Sequence, residues 1–258
     1  MTNPFREYAQ YYDLLYQDKD YPGEALFVAR LLNRYVDKAV GDTTVLDLAC
    51  GTGRHAQELA RMGYCIEGSD LSADMVMIAR ERAKEAGFPI KFHNESFQRC
   101  DRIGGQYDAV IAMFSAVDYL TDHVDFVRTL ENIRGLLCEG GVFIFDFWNG
   151  NAVLKDYSPV RVRRVADGER ALIRITNTSL DLISQIATLS FDFLLLRAGS
   201  IVREFSEVHP IRYFFPQEMM DLLATSGFEV IHRCPFLEED DFVTPSDWNL
   251  TYVARPRS

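Results

Sequence analysis

The sequence is short of basic residues. Its 258 residues include 27 Lys and Arg against 38 Asp and Glu, which gives a formal net charge of −11. An acidic surface repels phosphate backbone, so a nucleic-acid partner is not expected unless a local basic patch exists. The run RVRRV at 161–165 is short and alternates as a strand does. We therefore expect no binding of nucleic acid.

Cysteine is scarce and unpaired. No CxxC pair occurs, and the five cysteines are scattered along the chain: Cys50, Cys65, Cys100, Cys138 and Cys234. This scatter is typical of buried thiols in a reducing compartment, and it argues against a disulfide framework or a zinc site. No metal is expected.

Long hydrophobic runs are absent as well. Residues 1–21 are polar and aromatic, with no apolar core of a signal peptide, and nothing further along approaches a membrane span. The sequence therefore predicts a cytoplasmic protein without membrane association.

Up to about residue 150, short apolar runs alternate with segments of helical spacing. The predicted strands are 44–49, 64–70, 90–96, 107–114 and 140–149. Helical spacing occurs between them, for example at 72–87, where Ser72 is a good N-cap. Alternation of this kind predicts an α/β fold with a doubly wound, mostly parallel sheet.

After Gly150 the pattern changes. Residues 159–215 read as successive strands, with ADGE and RAGS as turns between them. A helix at 216–227 and strands at 228–236 and 248–256 then return to the first sheet. We expect one domain built from 1–158 and 216–258, with an inserted antiparallel sheet at 159–215.

The stretch LDLACGTGRHAQEL at 46–59 has the pattern of a strand, a glycine loop and a helix. A phosphate-binding P-loop needs GxxxxGK[ST], and no Lys-Ser/Thr follows here. A dinucleotide loop needs a third glycine for close helix packing, and that glycine is missing. Small residues still let backbone approach a ligand that needs no phosphate clamp.

This loop resembles D/ExGxGxG, the cofactor loop of class I S-adenosylmethionine-dependent methyltransferases. The matching residues are Asp47, Ala49, Gly51 and Gly53, with Ala49 in place of the usual first glycine. The resemblance implies a seven-stranded Rossmann-like sheet and S-adenosylmethionine as cofactor.

Asp70 ends the next predicted strand, where a carboxylate can accept hydrogen bonds from both ribose hydroxyls. An NAD site uses the same arrangement, so Asp70 indicates an adenosine ribose without selecting the cofactor. It could instead cap the helix that follows Ser72. The resemblance also places Leu71 and Met75 beside the cofactor.

Two further segments match the family. The resemblance implies that Glu95 accepts from the adenine amino group, that the Ser96 backbone N–H meets the ring and that Phe97 lies beside it. Glu95 could equally be a solvated loop acid. At the end of the fourth strand, the carbonyl of Met113 would meet the methionyl ammonium, and Phe114 would line the methyl donor.

Beyond this core the chain resembles bacterial sugar-nucleotide N-methyltransferases, including N,N-dimethyltransferases of deoxyamino sugars. The similar segments are 11–21, MFSAVDYL at 113–120, and 206–215. The resemblance implies an inserted sheet over one side of the cleft and an N-terminal lid made by Tyr12, Tyr16 and Tyr21. These tyrosines could instead be an ordinary aromatic cluster. The motif DFWNGNAVL at 146–154 also resembles methyltransferases from polysaccharide gene clusters, which leaves other sugars open.

An amine reaches a methyl donor as its free base, so a group that accepts its proton would help. Candidate acceptors are His123, Asp118, Tyr119, Tyr12 and His209. Candidate substrate contacts are Tyr119, Trp148, Asn149 and Arg212. Each of these residues could instead serve the surface or the core.

We expect methyl transfer to the amine of a nucleotide-linked amino sugar. O-methylation of a saccharide or another small metabolite is the alternative. A non-catalytic module that binds S-adenosylmethionine is a third hypothesis, and a dinucleotide oxidoreductase is the weakest. A homodimer is a further expectation.

Overall fold

The computed structural model describes residues 9–239 and 242–257 of the chain. Its main sheet has seven strands, with helices between them. Up to residue 156 the elements are α1 (Ala9–Leu15), α2 (Tyr21–Tyr35), β1 (Thr44–Leu48), α3 (Arg54–Arg61), β2 (Cys65–Asp70), α4 (Ala73–Glu85), β3 (Lys91–Asn94), β4 (Tyr107–Ala112), α5 (His123–Leu136), β5 (Leu137–Trp148) and α6 (Gly150–Asp156). The remaining elements are β6 (Val160–Asp167), β7 (Arg170–Asp181), β8 (Ile186–Arg197), β9 (Ser200–Arg212), α7 (Pro216–Thr225), β10 (Phe228–Pro235) and β11 (Asn249–Pro256).

The strand order of the main sheet is β3-β2-β1-β4-β5-β11-β10. Strands β1 to β5 are parallel, and β11 runs antiparallel to both of its neighbours. The predicted doubly wound, mostly parallel seven-stranded sheet is therefore confirmed. The order reverses between β1 and β4, and ligands bind at such a switch point, outside the carboxyl ends of the strands.

Burial on both faces explains the apolar strands of this sheet. Every residue of β4 is buried. Helices α2, α3 and α4 pack on one face, and α5 and α7 pack on the other. As predicted, Ser72 caps α4, its hydroxyl accepting from the Met75 backbone N–H at 3.3 Å.

The inserted sheet is a four-stranded antiparallel meander in the order β6-β7-β8-β9, as the sequence predicts. Two of its turns contain left-handed glycines, Gly168 with φ 57° and Gly199 with φ 81°, at the predicted ADGE and RAGS turns. Alternate residues of its strands point to an inner face, which packs against α1, and to an outer face.

Two short helices connect the sheets. Leu15 of α1 is fully buried among Val165, Leu172 and Phe193 of the inserted sheet. Val153 of α6 packs beside Ala187, Ile211 and Tyr213. Each helix has seven residues, which is too short for a periodic pattern in the sequence.

Across 9–239 and 242–257, no helix combines the length and the apolar character that a membrane crossing requires.

Candidate active site

A cavity of about 500 Å³ lies between the carboxyl edge of the main sheet and the inner face of the inserted sheet. The loop after β1, the ends of β2 and β4, and helix α1 all contribute to its walls. This volume is within the range of small-molecule sites.

The loop after β1 alternates left-handed residues. The φ angles are 58° at Ala49, 55° at Gly51 and 74° at Gly53. Glycine adopts this region freely, whereas Ala49 carries a cost of roughly 1–2 kcal/mol. The Gly51 backbone N–H donates to Asp70 Oδ2 at 2.9 Å. This bond fixes the loop against the end of β2.

The two glycines of the loop face different surroundings. Gly51 lines the cavity, and a Cβ there would meet nothing within 4 Å. A Cβ on Gly53 would lie 2.9 Å from Ala79 Cβ and 3.0 Å from Phe92 Cζ. Gly53 is not among the cavity-lining residues. Its position corrects the expectation of a cofactor contact: its small size serves the packing of α4 and β3.

Asp70 lines the cavity while also holding the surrounding backbone. Its second oxygen, Oδ1, accepts from the Ser72 backbone N–H at 2.8 Å. Burial raises the pKa of Asp70. Both carboxylate oxygens have a further lone pair, so the helix-capping and ribose-binding interpretations are compatible. The exposed Leu71 and the buried Met75, which the resemblance places beside the cofactor, also line the cavity.

Asp47 lies deeper, with 2 % of its surface exposed. Its Oδ2 atom has no hydrogen-bond partner in the described part of the chain. Burial raises the pKa of Asp47 to about 8, the charge of Asp70 adds to the rise, and Lys19 opposes it. The end of β1 therefore carries a buried acceptor atom that has no donor among the described residues.

In the segment after β3, hydrogen bonds within the segment already use some of the groups predicted to bind adenine. Glu95 and Phe97 line the cavity, but Ser96 does not. The Ser96 backbone N–H donates to Glu95 Oε1 at 2.9 Å, and Arg99 Nη2 pairs with the same oxygen at 2.9 Å. The N–H that the sequence assigns to adenine is therefore occupied in this structure, since the adjacent carboxylate reaches it first.

The turn after β4 is strained and firmly held. Met113 and Phe114, the two predicted donor contacts of this turn, line the cavity, and φ is 64° at Phe114 and 57° at Ser115. Left-handed residues other than glycine cost about 1–3 kcal/mol each. Buried Asp146 offsets this cost through Oδ2, which accepts from the Ser115 N–H and hydroxyl at 3.0 Å and from Asn249 at 2.7 Å.

The three predicted lid tyrosines all line the cavity. The ring centroids of Tyr12 and Tyr16 are 4.7 Å apart, and Tyr16 meets Phe114 edge-on at 5.4 Å. The Tyr16 hydroxyl accepts from Arg174 Nη1 at 3.2 Å. Tyr16 therefore links the strained turn of the main sheet to the inserted sheet, and Tyr21 completes the group.

Asp13, which the sequence does not single out, ties α1 to the glycine loop. Its Oδ1 accepts from the Thr52 hydroxyl and from Arg54 Nε, both at 3.0 Å, and Oδ2 pairs with Arg82. Burial acts to raise the pKa of Asp13, but the two guanidinium charges outweigh it and lower that pKa. We call this cluster of Asp13, Thr52, Arg54 and Arg82 the lid latch.

A buried cation beside the cavity is also missed by the sequence. Lys19 Nζ lies 3.2 Å from the ring centroid of Phe114 and 3.1 Å from Glu24 Oε2. Glu24 in turn lies 2.7 Å from His55 Nε2. Burial lowers the pKa of Lys19. His55 lies two residues after Gly53 of the glycine motif, which is the signal in the sequence that points to this cluster.

The opposite wall is aromatic. Trp148, predicted to contact substrate, meets Trp248 edge-on at 5.1 Å, and both line the cavity with Tyr119. The inserted sheet adds three side chains to this wall: Leu189, Phe191 and Ile211. A planar ring can pack against such a surface.

Tyr119 connects to two polar residues inside the inserted sheet. Its hydroxyl lies 3.0 Å from His209 Nδ1, and His209 Nε2 lies 3.0 Å from Glu207 Oε2. His209 is fully buried. Its position behind Tyr119 makes it a neighbour of the cavity wall.

Three sequence candidates lie outside the cavity walls, which corrects the expectation for them. His123 is exposed at the first position of α5. Asn149 is buried as the N-cap of α6, where its amide donates to the Asp247 carbonyl at 3.0 Å. Arg212 pairs with Glu218 at 2.5 Å, so its charge is already compensated.

Asp118 also departs from the expectation of a proton acceptor. It is fully buried, does not line the cavity, and its Oδ2 accepts from the Trp148 backbone N–H at 3.0 Å. Burial raises the pKa of Asp118 well above its usual value. Its place beneath Trp148 suits the support of the aromatic wall.

Comparison with known proteins identifies the family to which the chain belongs. Residues 45–141 match a methyltransferase domain model. A Streptomyces venezuelae protein, dTDP-3-amino-3,4,6-trideoxy-alpha-D-glucopyranose N,N-dimethyltransferase, is 30% identical over 228 residues, which are 87% of this chain and 91% of that one. The chain belongs to the S-adenosylmethionine-dependent methyltransferases. A dTDP-3-amino-3,6-dideoxy-alpha-D-glucopyranose N,N-dimethyltransferase of Streptomyces fradiae is 28% identical over 87% of this chain and 84% of its own.

Solved structures agree with this membership. The Streptomyces venezuelae structure named DesVI is 27% identical to this chain. The two structures have a TM-score of 0.78, over 96% of this chain and 98% of DesVI. A Clostridium acetobutylicum S-adenosylmethionine-dependent methyltransferase has a TM-score of 0.83 over 99% and 100% of the two chains at 20% identity. The second likeness shows the fold alone.

The cavity of the methyltransferase fits S-adenosylmethionine. The open side of Gly51 lets ligand approach the backbone, and Asp70 presents lone pairs where ribose hydroxyls would donate. Asp47 itself does not line the cavity, which corrects the expectation of a direct cofactor contact; its unpartnered oxygen can favour a cationic ligand only through its charge. In the described residues, no group of three or more His, Cys, Asp or Glu side chains could hold a metal ion.

Proposed function

We propose that this methyltransferase methylates the amine of a nucleotide-linked amino sugar. The two Streptomyces relatives that span most of the chain are named as N,N-dimethyltransferases of dTDP-linked amino sugars. Their coverage includes the inserted sheet, which supports a shared acceptor class as well as a shared donor.

A cationic inner face carries the proposal in this chain. The inner-face arginines that matter here are Arg161, Arg163 and Arg174. Strand pairing sets Arg163 opposite Arg174. The guanidinium of Arg161 lies 5.3 Å from the ring centroid of Trp248, and that of Arg174 lies 4.9 Å from the centroid of Phe191. Both rings belong to cavity-lining residues, and arginine is well suited to binding diphosphate.

The acidic net charge of the whole chain makes this group of arginines informative. A chain with a net charge of −11 would repel a nucleotide sugar unless cations were gathered near the site. The aromatic wall of Trp148 and Trp248 next to these cations supports binding of a base or sugar ring. Together they favour an anionic, ring-containing acceptor.

When bound, S-adenosylmethionine supplies an already activated methyl group. The chain's own residues therefore have to align the acceptor and exclude water. The lid tyrosines and the apolar side chains Leu189, Phe191 and Ile211 would close the cavity around both ligands. Alignment of this kind contributes roughly 7–11 kcal/mol in well-oriented reactions.

We also propose a division of work between the two parts of the chain. Residues 1–158 and 216–258 form the donor-binding domain with its N-terminal lid, and 159–215 form the cover of the acceptor. Residues 1–8 of the lid lie outside the described residues. The roles given to Asp70, Glu95, Phe97, Met113 and Phe114 are part of this proposal and follow from their places in the cavity wall.

The test is a panel of dTDP- and UDP-linked amino sugars, each paired with the same sugar carrying hydroxyl instead of amine. We expect a gain of one or two methyl masses for the amines alone. A gain only on the hydroxyl partners would establish O-methylation instead. Binding of S-adenosylmethionine without any turnover on a broad metabolite panel would favour the non-catalytic module.

Further proposals concern the setting of the enzyme. Five free cysteines support a reducing cytoplasm, and the net charge supports a lack of nucleic-acid partners. The outer face of the inserted sheet exposes Val160, Val162, Val202 and Val208, which supports a homodimer through this face. Light scattering coupled to gel filtration would measure the mass of the assembly, and a monomer at all concentrations would contradict the dimer.

A further inference from the structure

We propose that Tyr119, His209 and Glu207 form a proton relay that takes the proton lost by the acceptor amine. The inference rests on the proposed N-methylation, since a hydroxyl acceptor would release its proton differently. The relay gives the proton of the methylated amine a path out of the cavity.

The relay crosses from one sheet to the other. Tyr119 lies in the turn that follows β4 and lines the cavity. Glu207 and His209 are two residues apart on β9, so both side chains point to the inner face of the inserted sheet. The two links, Tyr119 Oη to His209 Nδ1 and His209 Nε2 to Glu207 Oε2, are each 3.0 Å long.

The carboxylate sets the direction of the hydrogen bonds. An ionised Glu207 only accepts, so it requires a proton on His209 Nε2. A neutral imidazole then has a free lone pair on Nδ1, which accepts from the Tyr119 hydroxyl. The phenol hydrogen is thereby directed toward His209, and the phenol oxygen acts as an acceptor on its other side, where an amine N–H can donate to it.

The surroundings keep the proton on this path. His209 is fully buried, and the ring of Phe191 lies 4.8 Å from the imidazole, centroid to centroid. Burial raises the pKa of Tyr119, with added repulsion from Tyr16, Asp118 and Glu207 and an opposing effect of Arg174. A phenol in this setting does not hold a negative charge, so it passes a proton on rather than storing the charge itself.

The step balances without an oxidant or reductant. After methylation the acceptor is an ammonium group. Its N–H bond breaks while an O–H bond forms at Tyr119, and the original phenol proton forms an N–H bond at His209 Nδ1. The electron pair of the broken N–H bond stays on the amine. The resulting imidazolium is paired with the Glu207 carboxylate, as in enzymes where a carboxylate orients a histidine that acts as general base.

A relay of this kind matters most between two methyl transfers. A singly methylated ammonium has no lone pair, and a closed, dry cavity offers no water to remove its proton. Removal through Tyr119 would return the amine to its free base while it is still bound. Loss of the relay should therefore affect the second methylation more than the first.

The test compares Tyr119→Phe and Glu207→Gln with Glu204→Gln. Glu204 is exposed and lies on the outer face of the same strand, so it undergoes the same chemical change outside the site. We expect kcat for the second methylation to fall about 100-fold in the first two variants, with KM little changed and monomethyl product accumulating. Glu204→Gln should match the wild type, and melting temperatures would show that all three variants fold.

A second readout does not depend on turnover. Nitrogen NMR of His209 in the protein without ligands should show the proton on Nε2, and Glu207→Gln should reduce the population of that tautomer. Wild-type Nδ1–H, or an unchanged ratio of monomethyl to dimethyl product in both relay variants, would overturn the relay. If no amino sugar is methylated by the wild type, the proposed function fails, and the relay for amine protons fails with it whatever the tautomer.

Discussion

The two sheets of this methyltransferase line the same cavity with different parts of their structure. All six residues of β4 are buried, because helices cover both faces of the main sheet. In β8 of the inserted sheet, the buried positions Ala187, Phe191 and Phe193 instead fall on one face. The main sheet therefore presents functional groups from the loops at its strand ends, while the inserted sheet presents them from the inner face of its strands.

Under the proposed function, this difference separates the two ligands. Groups that suit the donor, such as Gly51, Asp70 and Met113, are cavity residues at the ends of β1, β2 and β4. Groups that suit the acceptor, such as Arg161 and His209, stand on strands and come together only through register. Changes in one set should alter one ligand and spare the other, and the following experiments test that separation.

The largest expected effect is on donor binding at the main sheet. Asp70→Ala removes the acceptor for the ribose hydroxyls and the anchor of the Gly51 N–H. Hydrogen bonds to charged groups contribute about 1.5–3 kcal/mol each, so the Kd for S-adenosylmethionine should rise more than 100-fold. Calorimetry gives the Kd, and Asp74→Ala, an exposed acid in the first turn of α4, is the control. A variant that binds as tightly as the wild type would contradict the ribose assignment.

The next effect is a pH dependence caused by Asp47. Burial raises its pKa to about 8, so in the ligand-free fold it stabilises most below its unfolded pKa, and this contribution is lost as pH rises through about 8. A cationic donor prefers the ionised carboxylate. Affinity should therefore rise up to about tenfold per pH unit between roughly pH 6 and 7.5, below the range where the donor's own amine loses its proton.

The charges that face Asp47 are Asp70, which raises its pKa, and Lys19, which lowers it. Asp47→Asn should make the affinity for S-adenosylmethionine nearly independent of pH in that window. Titrations in buffers of different ionisation enthalpy would count the protons released on binding. Equal proton release by the wild type and the variant would exclude Asp47 as the titrating group.

The same contrast explains what the sequence could predict. The parallel sheet, Asp70 and the turn at Met113 and Phe114 follow from local motifs, since loops at strand ends lie next to recognisable strands. Gly53 was misassigned because its motif position hides the fact that its missing Cβ faces Ala79 and Phe92.

The remaining site residues depend on tertiary contacts. The sequence gives no reason to join Asp13 to Arg82, which are 69 positions apart. It also reads RVRRV as a weak basic run, whereas pairing with β7 sets Arg163 opposite Arg174 and makes a cationic face. His123 has the right chemistry for a base, but helix α5 begins at the surface, away from the cavity.

A smaller effect should separate the two faces of the inserted sheet. Arg161 and Arg164 belong to the same run but differ in parity, so they lie on opposite faces of β6. Arg161→Gln should raise KM for the nucleotide sugar about fivefold, equivalent to about 1 kcal/mol, and leave donor Kd unchanged. Arg164→Gln should leave both values unchanged. Equal effects of the two variants would mean that net charge alone, not the inner face, attracts the acceptor.

The smallest effect concerns the lid latch, which ties α1 to the glycine loop and to α4. Asp13→Asn keeps the shape of the side chain but removes the charge that Arg54 and Arg82 share. Partly exposed ion pairs contribute up to about 1 kcal/mol, so dissociation of S-adenosylmethionine should quicken about threefold. Stopped-flow displacement measures this rate, and Glu58→Gln, which breaks an ion pair on α3 away from the lid, is the control.

The latch should also differ from Asp47 in its response to pH. The guanidinium charges overcome burial and lower the pKa of Asp13, so its stabilising contribution is present above the ordinary aspartate pKa and is lost only as pH falls through the lowered value. The ratio of dissociation rates between Asp13→Asn and the wild type should therefore stay constant from roughly pH 6 to 7.5, the range in which the ionised fraction of Asp47 increases toward its pKa of about 8. A ratio that changes across this window would mean that the latch and the buried acid of the glycine loop act as one coupled group.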